Sequence, residues 1–567
     1  MKRCPECRRD YFDDSLLYCL DDGSALLEGP ATASSTDEPA TALYHSTDAA
    51  EEGPTREQIP TTERTAVLRN GIPHIPKSWI RKGLLPGFLL ALIGLVAFAG
   101  YRYYNADERG RIGSIAVLPF ENRSGNADTD YLSDGLSDSL IYRLTQLPGL
   151  KVSPTNSVIR YRGRQTDLAQ IAKELEVDAV MSGRLAQRGD DLTISVELTD
   201  TRTRKLVWAE QYERKMSDLL ATQREIATTV TQKLQLKLSS TEVALTKQYT
   251  NSNDAFQLYL KGRFHWNKRT PEGIRMAIDH FKAASEKDPN FVLAYVGLAD
   301  SYLVGRFHTR GNDKEALSLA NANAKRAFEI DPSLVETNAT LGLVNTGLWN
   351  WAEAEKNFKR ALEIDSHYPP ARHWFSMILR RQGRFEESFE QIKQAQRDDP
   401  LSLPISNNVA KGFLEKGDVF GAIEESRRIL EIGEYWVIYQ TLAHCYLKLG
   451  RDEEALANAK KTVDLLPNSS ITLKVLGYVK ARLGNRSEAL AIAHEIEDKF
   501  AKGEADGRDV AIVYAGLGNN DEVFRWLEKD LRNRNSTLSE IRLDEELAPL
   551  RNDTRFKSLL KRMGLPE

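Results

Sequence analysis

Three patterns of apolar and polar positions succeed one another along the chain. In the first, strand and helix spacings alternate. Ile115–Phe120 (IAVLPF) is a short apolar run suited to a buried strand. Asp130–Leu144 places Tyr131, Leu132, Leu136, Leu140, Ile141 and Leu144 at helical spacing, and Asp167–Leu175 predicts a second helix. Asp178–Leu185, Leu192–Leu198 and Lys205–Tyr212 predict three strands, and an amphipathic helix from Met216 to about Leu238 closes the unit. Elements in that order predict an α/β sandwich over residues 112–245.

From Asp254 onward strand spacing disappears and a repeat takes its place. Ala354, Ser388, Ala422, Ala455 and Ala489 follow one another at 34, 34, 33 and 34 residues. Each is followed seven positions later by Ala361, Ala395, Ile429, Thr462 or Ile496. Pro289, Pro332, Pro400 and Pro467 stand five positions beyond the corresponding place in their own repeats. A 34-residue period with small residues at the helix crossing and Pro after the second helix is the tetratricopeptide pattern. The small residues let two helices approach, and each pair buries its remaining apolar face on the next. Residues 254–567 are therefore expected to form an all-α superhelix with a C-terminal cap. Earlier copies, around Ala277, Phe281 and Ala284 and around Ala320, Ala324 and Ala327, are expected to carry insertions between their helices.

The third pattern is Gly83–Tyr101, nineteen residues without a charge. As a helix it reaches roughly 28 Å, close to the ~30 Å of bilayer hydrocarbon. Trp79, Tyr101, Tyr103 and Tyr104 stand where interfacial aromatics belong. One transmembrane helix is expected at 83–101. Lys77, Arg81 and Lys82 precede it closely and only Arg102 follows as closely, which favours a cytoplasmic N-terminus and extracytoplasmic C-terminal domains. Residues 28–82, rich in Thr, Ala, Ser, Glu and Pro, lack the apolar content to offset ordering entropy and are expected to be a disordered linker.

Chemistry-bearing residues cluster at the N-terminus. Cys4-x2-Cys7 and Cys19-x2-Asp22-Gly23 have the spacing of two zinc-ribbon knuckles, with Asp22 at the fourth ligand position. So small a segment, residues 1–27, cannot fold on apolar burial alone, and a structural Zn2+ would supply its stability. A metal-free or redox-active remnant is the alternative reading. Cys445, alone inside a repeat, reads as a small buried hydrophobe. The formal charge of −4 carries no basic excess, so nucleic acid is not an expected partner. G-x-S-x-G, H-E-x-x-H, P-loop and G-x-G-x-x-G patterns are all missing; no catalytic residue and no small-molecule substrate is evident, and the chain reads as a non-enzyme.

In such repeats the first helix of each pair lines the concave face. Setting the register by Gly342, Ala443 and Gly477 puts His373, Arg380, Arg381, Asn407, Lys411, Gln440, His444, Lys448, Lys474, Tyr478 and Arg482 on that face. Six of these are formally cationic, against Glu336 and Glu415 at equivalent positions. A concave cationic wall predicts a protein or peptide partner that is acidic or presents a C-terminal carboxylate.

The runs IAVLPFENRSG, DYLSDGLSDSLIYRL, IAKELEVDAVMSGRL and KLVWAEQYER resemble the TolB amino-terminal-like domain, related to CsgG and FlgO-type domains. The segment DAFQLYLKGRFHWNKRTPEGIRMAIDHFKAA looks like the first repeat that accompanies it in bacterial proteins, and LAPLRNDTRFKSLLKRMGLP resembles their C-terminus. The resemblance implies a bacterial inner-membrane protein in which this domain follows a single span and precedes the repeats. It points to a membrane-anchored interaction scaffold, with a signalling or transcription-regulating protein that uses the zinc ribbon as cytoplasmic effector as the alternative. Metal analysis should return about one Zn2+ per chain; a zinc-free protein with Cys4, Cys7 and Cys19 all freely titratable rejects the site.

Overall fold

The computed structural model describes residues 2–3, 10–11, 27–28, 112–147, 149–164, 167–234, 249–309 and 313–567, and the chain divides into two units, 1–91 and 92–567. The candidate zinc ligands Cys4, Cys7, Cys19 and Asp22, the linker beyond Glu28 and the span at 83–101 lie outside the described residues. Among the described residues no helix is long and apolar enough to cross a membrane, and no group of three or more His, Cys, Asp or Glu could hold a metal. In the first unit, β1 (Lys2–Arg3) pairs antiparallel with both β2 (Asp10–Tyr11) and β3 (Leu27–Glu28).

The second unit opens with the expected α/β sheet. Strands β4 (Ser114–Val117), β6 (Lys151–Val152), β7 (Ala179–Arg188), β8 (Asp191–Asp200) and β9 (Lys205–Lys215) lie in the order β6-β4-β7-β8-β9, and β5 (Glu121–Asn122) pairs with β7. Pairing of β4 with β6 and β7 is parallel, and β7, β8 and β9 form an antiparallel meander. The first strand stops at Val117, short of the Phe120 expected; Pro119, two residues on, has no N–H to give a ladder. The alternating strand β8 buries Leu192, Ile194, Val196 and Leu198 on one face. The helix expected from Met216 begins as a 3-10 turn, Met216–Asp218, and continues as an α-helix over Leu219–Lys233.

Eight helix pairs follow among the described residues. They are 253–267 with 271–287, 292–309 with 313–330, 335–347 with 351–364, 369–381 with 385–398, 403–415 with 419–432, 436–448 with 452–465, 470–482 with 486–501, and 507–516 with 520–533. The residues that carry the 34-residue period are all at the crossings: Ala354, Ala422, Ala455 and Ala489 are fully buried and Ser388 nearly so. A Cβ on Gly342 would stand 2.7 Å from the Phe358 ring, so only glycine lets that aromatic fill the crossing. The second copy differs from the insertion expected between its helices. Its extra residues lengthen the helices themselves, to 18 each against 13 and 14 in the third pair. Cys445 is buried as expected, and burial pushes its thiol up to about 12.

The sheet and the first repeats share one hydrophobic core, running from Ile112 to Leu334. Helix Asp130–Thr145 lies between them, with Leu132, Leu136, Leu140 and Leu144 fully buried. A Cβ on Gly135 would come within 2.8 Å of Leu260 of the first repeat, so this helix interior accepts glycine to let the two elements touch. Beside it, Arg263 donates from Nε to Asp138 Oδ2 at 2.7 Å. The far side of the α/β unit reaches later repeats: Lys151 donates to the Arg397 carbonyl at 2.8 Å, Ser157 to Asp399 and Arg160 to the Ile432 carbonyl.

Burying carboxylates along these repeats has a cost. Asp300 accepts from Thr340 at 2.9 Å, yet burial raises it to about 6. Glu336 Oε2 is buried without a hydrogen-bond partner, and burial raises this group from 4.5 to about 8. A carboxyl raised in the fold contributes stability fully below its unfolded pKa and loses it as pH climbs through the folded value. Glu336→Gln should therefore raise the thermal midpoint near pH 8, by about 1 kcal/mol or more of stability, and change little near pH 4. Equal midpoints at the two pH values would show that Glu336 is solvated.

Candidate functional site

The concave wall is built from the first helix of each repeat, and a C-terminal segment covers it. After the eighth pair the chain makes two 3-10 turns, Ser536–Glu540 and Glu545–Leu550, and a last helix, Thr554–Arg562. Leu538, Ile541, Leu547 and Phe556 of this segment are fully buried. It reaches back to the third repeat, where Trp351 Nε1 donates to the Met563 carbonyl at 2.7 Å.

Acids of this segment meet the cations of the wall. Glu540 receives Arg381 Nη2 at 2.7 Å through one oxygen and Arg508 Nη1 at 3.0 Å through the other. Arg508 also grips Asp544 in two parallel bonds of 2.7 and 2.6 Å. Glu546 faces His444 Nε2 at 2.9 Å, and Glu545 faces Lys448 at 2.9 Å. Lys474 donates to Asp509 at 2.7 Å. Burial alone would raise Glu540 and Glu546, but Arg508 and Arg381 hold Glu540 at about 2, and His444 holds Glu546 below its ordinary range. Burial likewise opposes a charge on His444, and Glu546 overrides it, holding the imidazole above its ordinary range.

The remaining predicted positions fall in different surroundings, and His373, Asn407, Tyr478 and Arg482 do not line the chamber between wall and covering segment. Arg380 binds Glu415 with Nε at 3.0 and 3.1 Å from its two oxygens and gives Nη1 to Asn408 at 2.9 Å. His373 Nε2 lies 2.9 Å from Asn408 Nδ2, and burial followed by the charge of Arg380 lowers it to about 4. Asn407 accepts from Thr441 at 3.0 Å, and Tyr478 meets His444 edge to face at 6.3 Å. Arg482 is exposed at the end of its helix. Arg380, Lys411, Gln440, His444 and Lys474 come together on one chamber of about 320 Å3 between wall and covering segment.

This arrangement corrects the electrostatic expectation. Arg380, Arg381 and Lys474 are buried and ion-paired, and Lys448 is paired at the rim, so the wall does not present six free cations. The register read from the sequence stopped at Arg482 and so missed Arg508 and Asp509 on the first helix of the eighth pair, and Glu540, Asp544 and Glu546 of the C-terminal segment. A signal was present in Leu543-Asp-Glu-Glu-Leu547, an acidic run bracketed by leucines, one of them fully buried here.

Comparison with known proteins agrees with the repeat geometry. Residues 437–468 match the tetratricopeptide repeat model, so the helical array is of tetratricopeptide type. Residues 111–229, the α/β unit, match the second domain of HilA/YgeH-like transcriptional regulators. The transcriptional regulator HilA of Salmonella typhimurium is 24% identical over 294 residues, 51% of each chain. A Rhizobium meliloti (strain 1021) protein named as an adenylate cyclase is 35% identical over 129 residues, 23% of this chain and 22% of that one. The chain thus spans about half the length of the first of these relatives and under a quarter of the second. Among solved structures, Pseudomonas aeruginosa PilF aligns with a TM-score of 0.31 and 20% identity over 38% of this chain and 93% of its own. Human IFIT1 aligns with a TM-score of 0.38 and 16% identity over 55% and 77%.

Charge reversal should separate the buried from the exposed lysines of the wall. The Lys474 side chain is 6% exposed and Lys448 is 45% exposed. Lys474→Glu sets a second carboxylate against Asp509 in a buried site and should cost about 3 kcal/mol or more, whereas Lys448→Glu should cost about 1 kcal/mol or less. Denaturant titration reads both, and equal costs would place Lys474 in solvent.

Proposed function

We propose that this chain is a non-enzymatic scaffold, held to a bacterial inner membrane by one helix at 83–101, that binds protein partners through its tetratricopeptide repeats. The observation that carries the reading is the continuous array of helix pairs from Asn253 to Asn533, a solenoid whose outer and rim surfaces are extended and repeated. The uncharged stretch Gly83–Tyr101 and the cations before it support the anchor, with the N-terminus cytoplasmic and the repeats outside. In this reading the α/β unit is a TolB-like spacer between span and repeats, and Cys4, Cys7, Cys19 and Asp22 hold a structural zinc on the cytoplasmic side.

A second reading is a signalling or transcription-regulating protein whose cytoplasmic effector is the zinc-ribbon segment. The match of residues 111–229 to a HilA-type second domain, with the alignment to HilA over half of each chain, favours it. The two readings part at the N-terminus: the second requires specific DNA binding by zinc-loaded residues 1–30, and the first expects none.

Reporter fusions after residue 70 and after residue 250 should report the cytoplasm and the extracytoplasmic side respectively. Two cytoplasmic reports defeat the anchor, and exchanged compartments defeat only its direction. Affinity capture from native membranes should return protein partners that the chain loses when residues 254–567 are removed; unchanged capture would move binding off the repeats.

A further inference from the structure

The chamber on the concave wall has a charge balance that selects its occupant. Its volume of about 320 Å3 lies at the lower end of the ~300–1,000 Å3 typical of small-ligand sites. Arg380, His444, Lys474 and Arg508 all line it, and each already has a carboxylate partner within the protein. Asp506, also in the lining, accepts from Asn535 at 2.7 Å and Thr537 at 2.9 Å. Lys411 is different. It lines the same chamber with no hydrogen bond or ion pair among the described residues. Burial lowers its amine to about 8, with Arg380 adding to the effect and Glu540, Glu546 and Asp544 opposing it. The Lys411 side chain is half-buried, and an ammonium drawn partly out of water without a hydrogen-bonded counter-ion gains by meeting a carboxylate. Beside it the wall offers Trp436, Val437, Ile471 and Leu543 as apolar surface and Gln440 as a neutral donor and acceptor.

We propose that this chamber binds a small organic monocarboxylate with an apolar or aromatic body, its carboxylate on Lys411 and its body against Trp436. The proposal rests on the repeats being a recognition scaffold, and it adds a small-ligand site inside the groove to the protein partners of the outer and rim surfaces. A single negative charge gives Lys411 the hydrogen-bonded partner it lacks among the described residues. Phosphate, sulfate or an acidic peptide would bring further charge towards Glu540, Asp544 and Glu546, which the covering segment fixes on the opposite wall. That wall also closes the groove along which an extended peptide would lie. Loading the site holds the covering segment against the repeats, so the ligand stabilises the closed superhelix by mass action.

The test is titration calorimetry on the full chain with phenylacetate, phenylacetamide, inorganic phosphate, and a short peptide ending in Phe with either a free or an amidated C-terminus. Phenylacetate should bind at least about tenfold more tightly than its amide or phosphate, because a charge-assisted bond to Lys411 is lost in one and repulsion is added in the other. Binding near pH 8 should take up a fraction of a proton, since the carboxylate restores the Lys411 ammonium, and near pH 6 it should take up almost none. Two buffers of different ionisation heat read this uptake. Lys411→Met should lose about tenfold or more in affinity while keeping an unchanged or higher thermal midpoint, and Lys411→Arg should retain binding. Equal affinities for phenylacetate and its amide, or full binding by folded Lys411→Met, overturn the proposal. Tighter binding of the free-ended peptide than of phenylacetate overturns the small-ligand form and gives the chamber to the end of a protein chain. Protein capture is measured on the same Lys411→Met variant: capture retained with acid binding lost supports the ligand site and leaves the scaffold intact. Capture lost together with acid binding assigns Lys411 to the partner surface and overturns an independent small-molecule site.

Discussion

Glu540 sits between two guanidiniums that belong to opposite ends of half the array. Arg381 closes the first helix of the fourth repeat and Arg508 opens the first helix of the eighth. Neither cation could stay buried alone, because removing one partner of a buried pair costs several kcal/mol, about 3–5 in measured cases. The shared carboxylate therefore couples the curvature of the superhelix to the path of its C-terminal segment. Asp544 completes the second guanidinium, and Trp351 at the third repeat receives the end of the chain. With these contacts the repeats form a closed turn around their own tail, and the groove becomes a chamber.

A similar economy holds at the other end of the array. Repeat stacks need terminal surfaces that do not expose the apolar face of the last pair. Here the α/β unit supplies the N-terminal cover, sharing a core with the first repeats, and the tail supplies the C-terminal one. Both covers also carry buried charge onto the repeats, Asp138 to Arg263 on one side and Glu540 to Arg381 on the other. The unmatched carboxyl of Glu336 marks where this matching is incomplete, and it makes stability there depend on pH.

For function, the consequence is a division of surfaces. The inner wall is committed to the chain's own acids apart from the neighbourhood of Lys411, so the protein partners of the proposed scaffold would be left the rims, the exposed second helices and residues such as Arg482 and Phe420. The inner chamber suits something small. A scaffold with an internal ligand site can couple the two, since any molecule that binds only the closed form shifts the equilibrium towards the surfaces that form displays.

The helical array was legible in the sequence because its signal is local. A small residue every 34 positions and seven-residue offsets within a helix pair report on neighbours in the chain, and all of those positions proved to be crossings. The same register placed Arg380, Lys411, Gln440, His444 and Lys474 together on one wall. Four strands and the three longer helices of the α/β unit were likewise readable from spacings of two and 3.6, whereas the two-residue strands Glu121–Asn122 and Lys151–Val152 and the single turn Thr155–Val158 are too short to carry a period. What those residues do was not readable, because charge pairing is decided across the fold. Arg381 finds Glu540 159 positions away, Trp351 finds Met563 212 away, and Ser157 finds Asp399 242 away. A sequence period fixes which side of a helix a cation occupies; only the tertiary structure decides whether solvent, a partner or the chain's own carboxylate faces it, since that depends on how far the superhelix turns before its tail begins.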